Sequence, residues 1–238
     1  MSCIIELKNV TCGYPGREKI LRQLDFGLHA GDRIGLIGPN GCGKSTLLHT
    51  IMGLIPLSEG NIRLFGQDMR SEKDFHAARL QLGFLFQQAD DQLFSPTVLE
   101  DVAFGPLNQG LSRQEALETA FATLDRLGLR EFENRVPYRL SGGEKKLVSL
   151  ATILAMQPRA LLLDEPTTGL DKETKQRILE ILQSLDLALL VVSHEPEFLD
   201  EITDKLVALR DGKILESGIS KHTHVHVHVG GDAPHRHG

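Results

Sequence analysis

Long hydrophobic runs are absent from this chain of 238 residues. The longest uninterrupted apolar segment has six residues, Leu187 to Val192, whereas a membrane-spanning helix needs about 20. The N-terminal segment MSCIIELKNV also lacks the basic stretch followed by a long apolar stretch that is typical of a secretory signal. We therefore expect a chain that does not itself cross a bilayer and is not secreted.

The chain also has few cysteines and carries a net negative charge. The three cysteines, Cys3, Cys12 and Cys42, are unclustered, which favours a reducing compartment and argues against a disulfide framework or a zinc site. The formal net charge is −6. An acidic chain is a poor candidate for broad binding to nucleic acid or to anionic lipid, so we expect no nucleic-acid partner.

Strand and helix patterns alternate along the chain. Short apolar or alternating runs predict strands over 4–10, 33–38, 61–65, 82–86, 160–163 and 188–192, and helical spacing predicts helices over 45–54, 141–156 and 172–184. Between them, a helical subdomain of about residues 97–157 is expected within a domain spanning residues 1–220. Ser112 with Glu115, and Ser141 with Glu144, have the spacing of helix-capping pairs. Such alternation predicts an α/β fold with a mostly parallel sheet covered on both faces.

A glycine-rich segment after the second predicted strand fits the P-loop pattern G-x-x-x-x-G-K-[ST]. Its glycines let backbone N–H groups converge on phosphate oxygens, and the following helix N-terminus adds positive potential. Lys44 is suited to the β- and γ-phosphates, and the Ser45 hydroxyl to Mg²⁺. The predicted ATP-binding loop comprises Gly38, Pro39, Asn40, Gly41, Cys42, Gly43, Lys44, Ser45 and Thr46.

Two neighbouring carboxylates end the predicted strand LLLDE. Ligands of open α/β sheets bind at the carboxyl ends of the strands, so Asp164 and Glu165 are expected to face the phosphates. Asp164 is suited to holding Mg²⁺, and Glu165 to orienting or deprotonating the attacking water. The alternative is a strand end that carries solvated acids.

The segment Leu140-Ser-Gly-Gly-Glu-Lys-Lys146, together with the P-loop, resembles the signature of ABC-type ATPases. The resemblance to this family covers about residues 4–218. The resemblance implies an ABC-type P-loop NTPase with a mixed sheet core. It also implies that Tyr14 stacks on adenine, that Gln87 is the Q-loop glutamine and a ligand of Mg²⁺, and that His194 contacts the γ-phosphate. Asp171 resembles the D-loop aspartate. Taken alone, Tyr14 could be a turn residue, Gln87 a solvated neighbour of Gln88, and His194 a helix cap.

Two ATPase copies are implied by the same resemblance. Ser141, Gly142, Gly143 and Glu144 of one chain are expected to contact the ATP held by Lys44 of a second chain, in a head-to-tail homodimer that closes on two ATP molecules. Glu165, His194, Gln87 and Lys44 are the expected catalytic residues. Glu144 stands where the signature usually has glutamine, and a carboxylate there is unfavourable unless it turns away or pairs.

The stretch Gln87-Gln-Ala-Asp-Asp-Gln-Leu-Phe-Ser-Pro-Thr97 resembles energy-coupling-factor importers of the cobalt/nickel type. This resemblance implies separate transmembrane coupling and substrate-binding subunits, and a cytoplasmic ATPase that is peripheral on the inner face of the cell membrane. Alternatives are an importer for a vitamin or another micronutrient, a non-transport ABC ATPase, and a metal-storage protein.

A histidine-rich tail, expected to be flexible, covers residues 221–238. Neutral imidazole is a good ligand for Ni²⁺, Co²⁺, Zn²⁺ and Cu²⁺. Alternate histidines of an extended strand lie about 7 Å apart, so the tail must fold around an ion to chelate it. The tail could also be incidental, or a segment added for purification. The candidate ligands are His222, His224, His226, His228, His235 and His237.

Overall fold

Two sheets are formed by the part of the chain that the structure, a computed structural model, describes: residues 2–14, 16 and 19–219. The histidine-rich segment 221–238 lies outside these residues. The strands are β1 (Cys3–Cys12), β2 (Leu21–His29), β3 (Arg33–Ile37), β4 (Leu57–Leu64), β5 (Gln67–Asp68), β6 (Leu82–Leu85), β7 (Ala160–Asp164), β8 (Ala188–Val192), β9 (Lys205–Arg210) and β10 (Lys213–Ile219).

The larger sheet has the strand order β10-β9-β3-β8-β7-β6. All of its pairings are parallel except that of β10 with β9. Successive residues of β7 enter opposite cores: Leu162 packs in the core on one face, and Leu161 and Leu163 pack in the core on the other. This alternation confirms the predicted parallel sheet with both faces covered.

The N-terminal strands lie outside the parallel sheet that the alternation of strands and helices predicted. They form a separate antiparallel sheet of order β2-β1-β4-β5. β1 pairs antiparallel with both β2 and β4, and the core on this side is shared with α1 (Lys44–Ile51) and with β3 of the larger sheet. The alternating pattern of β1 indicated a strand, but it could not indicate which neighbours the strand would have.

Along the chain, most of the remaining helices connect one parallel strand to the next. They are α2 (Glu72–Arg79), α3 (Val98–Asn108), α4 (Arg113–Arg126), α5 (Gly142–Ala155), α6 (Lys172–Gln183) and α7 (Pro196–Ile202). Helix α1 ends at Ile51, three residues before the predicted end, because the chain turns at Met52 and Gly53. No helix in the described part of the chain has the length and apolar character that crossing a bilayer requires.

Local capping fixes the starts of α4 and α5 where the sequence predicted them. The side chains of Ser112 and Ser141 accept hydrogen bonds from the N–H groups of Glu115 and Glu144, and each glutamate accepts a hydrogen bond from the N–H of its serine. Helices α3, α4 and α5 share a core that includes Val102, Leu124 and Leu150. They correspond to the helical segment expected near residues 97–157.

Candidate functional site

Four neighbouring parallel strands end at the same edge of the larger sheet. In spatial order the strands are β3, β8, β7 and β6. The P-loop follows β3, His194 lies just beyond β8, Asp164 ends β7 with Glu165 next to it, and Gln87 lies just beyond β6. Because the strands are parallel, their carboxyl ends meet at this edge. The fold therefore gathers segments that are far apart in sequence, as the strand-end argument predicted.

The P-loop curls tightly against the sheet. Gly38 has φ 155°, and a Cβ atom added there would lie 2.4 Å from the carbonyl oxygen of Leu209 on β9. Gly43, with φ 108°, is also restricted, since a Cβ atom would lie 2.8 Å from the side chain of Ile20. These contacts explain why the loop requires glycine at both positions.

Lys44 is nearly buried at the start of α1, with 7% of its surface exposed. Its ammonium donates to the carbonyl oxygens of Gly38 (2.9 Å) and Pro39 (3.0 Å), and within the described residues it forms no ion pair. A cation held only by neutral carbonyl groups keeps its charge available to an anion. The predicted role in phosphate binding is compatible with this position.

Asp164 is buried at the end of β7 and contacts the P-loop helix. Burial raises the pKa of its carboxyl, while a hydrogen bond from Ser45 lowers it. One oxygen, Oδ1, is buried and has no hydrogen-bond partner. A buried carboxylate oxygen without a partner is costly, and a divalent cation would stabilise it. Ser45 and Asp164, both predicted to hold Mg²⁺, are thus adjacent and chemically suited to that ion.

Glu165 adopts the left-handed backbone region, with φ 49°, which is uncommon for a residue with a side chain. Its Oε2 accepts a hydrogen bond from Thr168 (2.8 Å). Its Oε1 is buried and makes no aligned hydrogen bond, although Nε2 of the half-exposed His194 lies only 3.1 Å away. The structure therefore brings together the two residues predicted to act on water and on the γ-phosphate.

The turn that carries Ser141 and Gly142 is exposed, and no hydrogen bond among the described residues joins it to the P-loop. Glu144 was expected either to turn away from the nucleotide or to pair with another group, and it pairs. Its carboxylate accepts hydrogen bonds from the N–H of Ser141 (2.8 Å) and from the guanidinium of Arg135 (3.1 Å). The hydrogen bond from the Ser141 N–H, aided by the charge of Arg135, lowers the pKa of Glu144.

A Cβ atom on Gly143 would lie 2.9 Å from the hydroxyl oxygen of Thr174, so α5 and α6 meet closely here.

Tyr14, Gln87 and Asp171, the other predicted residues, are exposed. Tyr14 follows β1, and Gln87 follows β6. Asp171 caps α6 by accepting hydrogen bonds from the N–H and hydroxyl groups of Thr174. Their contacts with nucleotide stay predictions.

Lys146 is a residue of the site that sequence analysis missed. It is only 3% exposed, and it donates to the carbonyl oxygens of Phe86 (2.9 Å) and Gln87 (2.8 Å). Burial lowers its pKa to about 8, while the charges of Asp164 and Glu165 act in the opposite direction. Its spacing of four and seven residues from Leu150 and Ile153 places it on the buried face of α5, which is the signal that could have revealed it.

Comparisons with known proteins agree with this geometry. The family model described as ABC transporter matches residues 21–168. Over 225 residues the chain is 40% identical to the energy-coupling factor transporter ATP-binding protein EcfA of Methanosphaera stadtmanae, and the alignment covers 93% of this chain and 81% of the relative.

Two solved structures are similar over most of their length. CbiO1 of Clostridium perfringens, described as part of the ABC transporter complex CbiONQ, has a TM-score of 0.78 at 29% identity and covers 90% of this chain and 88% of that one. An ATP-binding cassette solved as a dimer in a post-hydrolysis state, bound to ADP and Pi, has a TM-score of 0.79 at 29% identity, with 89% and 96% covered.

Proposed function

Since the chain belongs to the ABC transporter family of ATP-binding proteins, we propose that it powers the uptake of a transition-metal ion, nickel or cobalt, through separate membrane subunits. The chain is an ABC ATPase that hydrolyses ATP. The coarser role, the ATP-binding subunit of an energy-coupling-factor type importer, follows from its likeness to EcfA and CbiO1. The metal substrate is the finer part of the proposal.

One observation carries the proposed chemistry. Within the described residues, two buried carboxylate oxygens, Asp164 Oδ1 and Glu165 Oε1, lack hydrogen-bond partners, and Lys44 at the same edge forms no ion pair. A nucleotide with its cation would supply what Lys44 and Asp164 lack, and the attacking water would meet the oxygen of Glu165. ATP would place its β- and γ-phosphates at the P-loop and Lys44, and Ser45, Asp164 and Gln87 would hold Mg²⁺, which neutralises phosphate charge when it is bound.

The hydrolytic step is assigned to Glu165 and His194. Glu165 orients the attacking water through its unpartnered oxygen and accepts the proton, while Thr168 holds the other oxygen in place. His194 lies beside the same carboxylate, and in this proposal it contacts the γ-phosphate. Ser141 and Gly143 of a second copy would complete the site from the opposite side, so ATP would bridge two chains and its hydrolysis would release them.

An exposed aromatic pair on the helical segment is suited to a protein partner. Phe94 and Phe104 are 66% and 45% exposed and pack edge to face with ring centroids 4.9 Å apart. Leu107 and Leu111 on the same segment are also exposed. We assign this surface, defined by these four residues, to docking of the membrane subunits on the inner face of the membrane.

We expect the double substitution Phe94→Ser and Phe104→Ser to prevent co-purification with the membrane subunits, because the apolar contact area is lost. MgATP affinity should stay within about twofold, because neither residue belongs to the P-loop. Affinity pull-down after co-expression measures the first effect. Leu215→Ser, which removes an exposed apolar side chain from β10, is the matched control. Retained co-purification of the double variant contradicts the assignment.

The case for a metal substrate is the resemblance of residues 87–97 to cobalt/nickel importers, together with the six histidines of residues 221–238. Co-expression with the neighbouring membrane subunits, followed by measurement of Ni²⁺ and Co²⁺ uptake, tests it. We expect uptake of one of these ions that requires ATP hydrolysis. Uptake of a vitamin, with uptake of neither metal, would contradict the metal proposal. It would favour the alternative of an importer for a vitamin or another micronutrient.

Deletion of residues 221–238 is expected to weaken Ni²⁺ binding by at least about tenfold, because the imidazoles are the metal-binding groups of this proposal. Binding to the full chain should fade below about pH 6, since protonated imidazole cannot ligate a metal. Isothermal titration with Ni²⁺ measures both effects. A variant with the six histidines replaced by asparagine keeps the length of the tail, and unchanged affinity in both variants would refute the tail's role.

A further inference from the structure

Gln92 makes three hydrogen bonds that join two parts of the fold. Its Oε1 accepts from the backbone N–H of Phe86 (3.3 Å), the residue just before Gln87. Its amide nitrogen donates to the carbonyl oxygen of Ser149 (2.8 Å) and to the hydroxyl oxygen of Thr152 (2.8 Å) on α5. Gln92 thus ties the end of β6 to the middle of the helix that begins with the signature turn.

Two lysines of α5 make parallel connections to the same segment. Lys146 donates to the carbonyl oxygens of Phe86 and Gln87, and Lys145 forms an ion pair with Asp90 at 2.5 Å. Residues 86–92 are therefore attached to α5 along one side. Of these three side chains, Gln92 alone is neutral, and both the oxygen and the nitrogen of its amide are hydrogen-bonded.

The same loop leads directly to the exposed aromatic pair. Phe94 lies two residues beyond Gln92, and the N–H groups of Phe94 and Ser95 donate to Oδ1 of the buried Asp101 on α3 (3.2 and 2.9 Å). A displacement of Phe94 would be carried through a short, hydrogen-bonded stretch to Gln92. From there it would reach both Gln87 and α5.

We propose that Gln92 is a positioning residue that holds Gln87 in register with α5, so that the surface of Phe94, Phe104, Leu107 and Leu111 and the ATP site move together. The proposal rests on the proposed function, in which Gln87 acts at the nucleotide. The hydrogen bonds of Gln92 given above all go to residues of this chain. It acts through the backbone N–H of Phe86 and through the two acceptors on α5.

Gln92→Glu removes both donors to α5 at nearly constant shape, and Gln92→Met removes every hydrogen bond without adding charge. For both variants we expect kcat for ATP hydrolysis to fall about tenfold, the effect of losing roughly one net hydrogen bond from the productive arrangement. The KM for ATP should stay within about twofold, because the P-loop is untouched. Steady-state kinetics of the full chain separates the two parameters.

Gln109→Glu, at the end of α3, is a matched control. Gln109 is also half-buried, and its amide nitrogen also donates to two acceptors, the carbonyl oxygens of Leu80 and Met156 (both 2.8 Å). Its loss should lower the melting temperature about as much as the loss of Gln92. It should leave kcat within about twofold, since both acceptors of the Gln109 amide lie outside residues 86–87.

A double-mutant cycle with Gln87→Ala separates positioning from general loosening of the fold. If Gln92 acts through Gln87, Gln92→Met should lower kcat no further in the Gln87→Ala background. Additive losses, an equal loss in Gln109→Glu, or unchanged kcat in the Gln92 variants would overturn the inference. Full turnover by Gln87→Ala alone, or a wild-type chain that fails to bind MgATP, would instead overturn the proposed function.

Discussion

Glu165→Gln is expected to lower ATP turnover by at least about 10²-fold, the lower end of the effect of removing a general base. The amide has almost the same shape as the carboxylate, and it can still accept the hydrogen bond that Thr168 donates to Oε2. It cannot take a proton from the attacking water. ATP should therefore bind and remain intact, because the P-loop and Lys44 are unchanged.

A chain that binds ATP without hydrolysing it should accumulate as a dimer. The exposed signature turn of one copy would meet the γ-phosphate held by the other, and the bridge would persist as long as ATP does. Size-exclusion chromatography with MgATP should show the dimer for Glu165→Gln and mostly monomer for the wild-type chain after turnover. Glu201→Gln, which removes an exposed carboxylate from α7, serves as the charge control. Wild-type turnover by Glu165→Gln would refute the role given to this residue.

Lys44→Ala is expected to weaken MgATP binding by about 10- to 100-fold, which corresponds to the loss of about 1.5–3 kcal/mol from hydrogen bonds to a charged group. The ammonium is held at the P-loop by two neutral carbonyl groups and has no ion pair among the described residues. Its removal takes away the cation that the phosphates would meet. Under the proposed function, metal uptake by the complex with the membrane subunits should fall to background.

Binding of a fluorescent ATP analogue, with circular dichroism to confirm folding, measures the effect of Lys44→Ala. Lys73→Ala on the exposed face of α2 removes the same charge elsewhere and should leave affinity unchanged. Affinity for MgATP that is equal in Lys44→Ala and the wild-type chain would contradict the proposed phosphate site. Uptake that persists with Lys44→Ala would contradict its dependence on this ATPase.

The effects of these two substitutions differ in a way that tests the order of events. Lys44→Ala impairs ATP binding and should therefore prevent dimerisation as well as hydrolysis. Glu165→Gln impairs only the hydrolysis of bound ATP and should favour the dimer. The double variant should behave as Lys44→Ala, because a base has nothing to act on without bound ATP.

The sequence alone determined the features that depend on a few neighbouring residues. A P-loop is one turn between a strand and a helix, so its glycines, Lys44 and Ser45 could be read from consecutive letters. The capping pairs at Ser112 and Ser141 are local for the same reason, since cap and partner are three residues apart. The position of Asp164 and Glu165 at the end of a strand needed only the apolar run before them.

Only the tertiary structure decided which of these segments meet. The order β3-β8-β7-β6 places His194 beside Glu165, and the packing of α5 against β6 places Lys146 under Gln87. The hydrogen bonds of Gln92 to Ser149 and Thr152 span 57 and 60 residues. Periodicity reports how each segment is buried but carries no information on its partner, because strand order and register are fixed by packing over the whole chain.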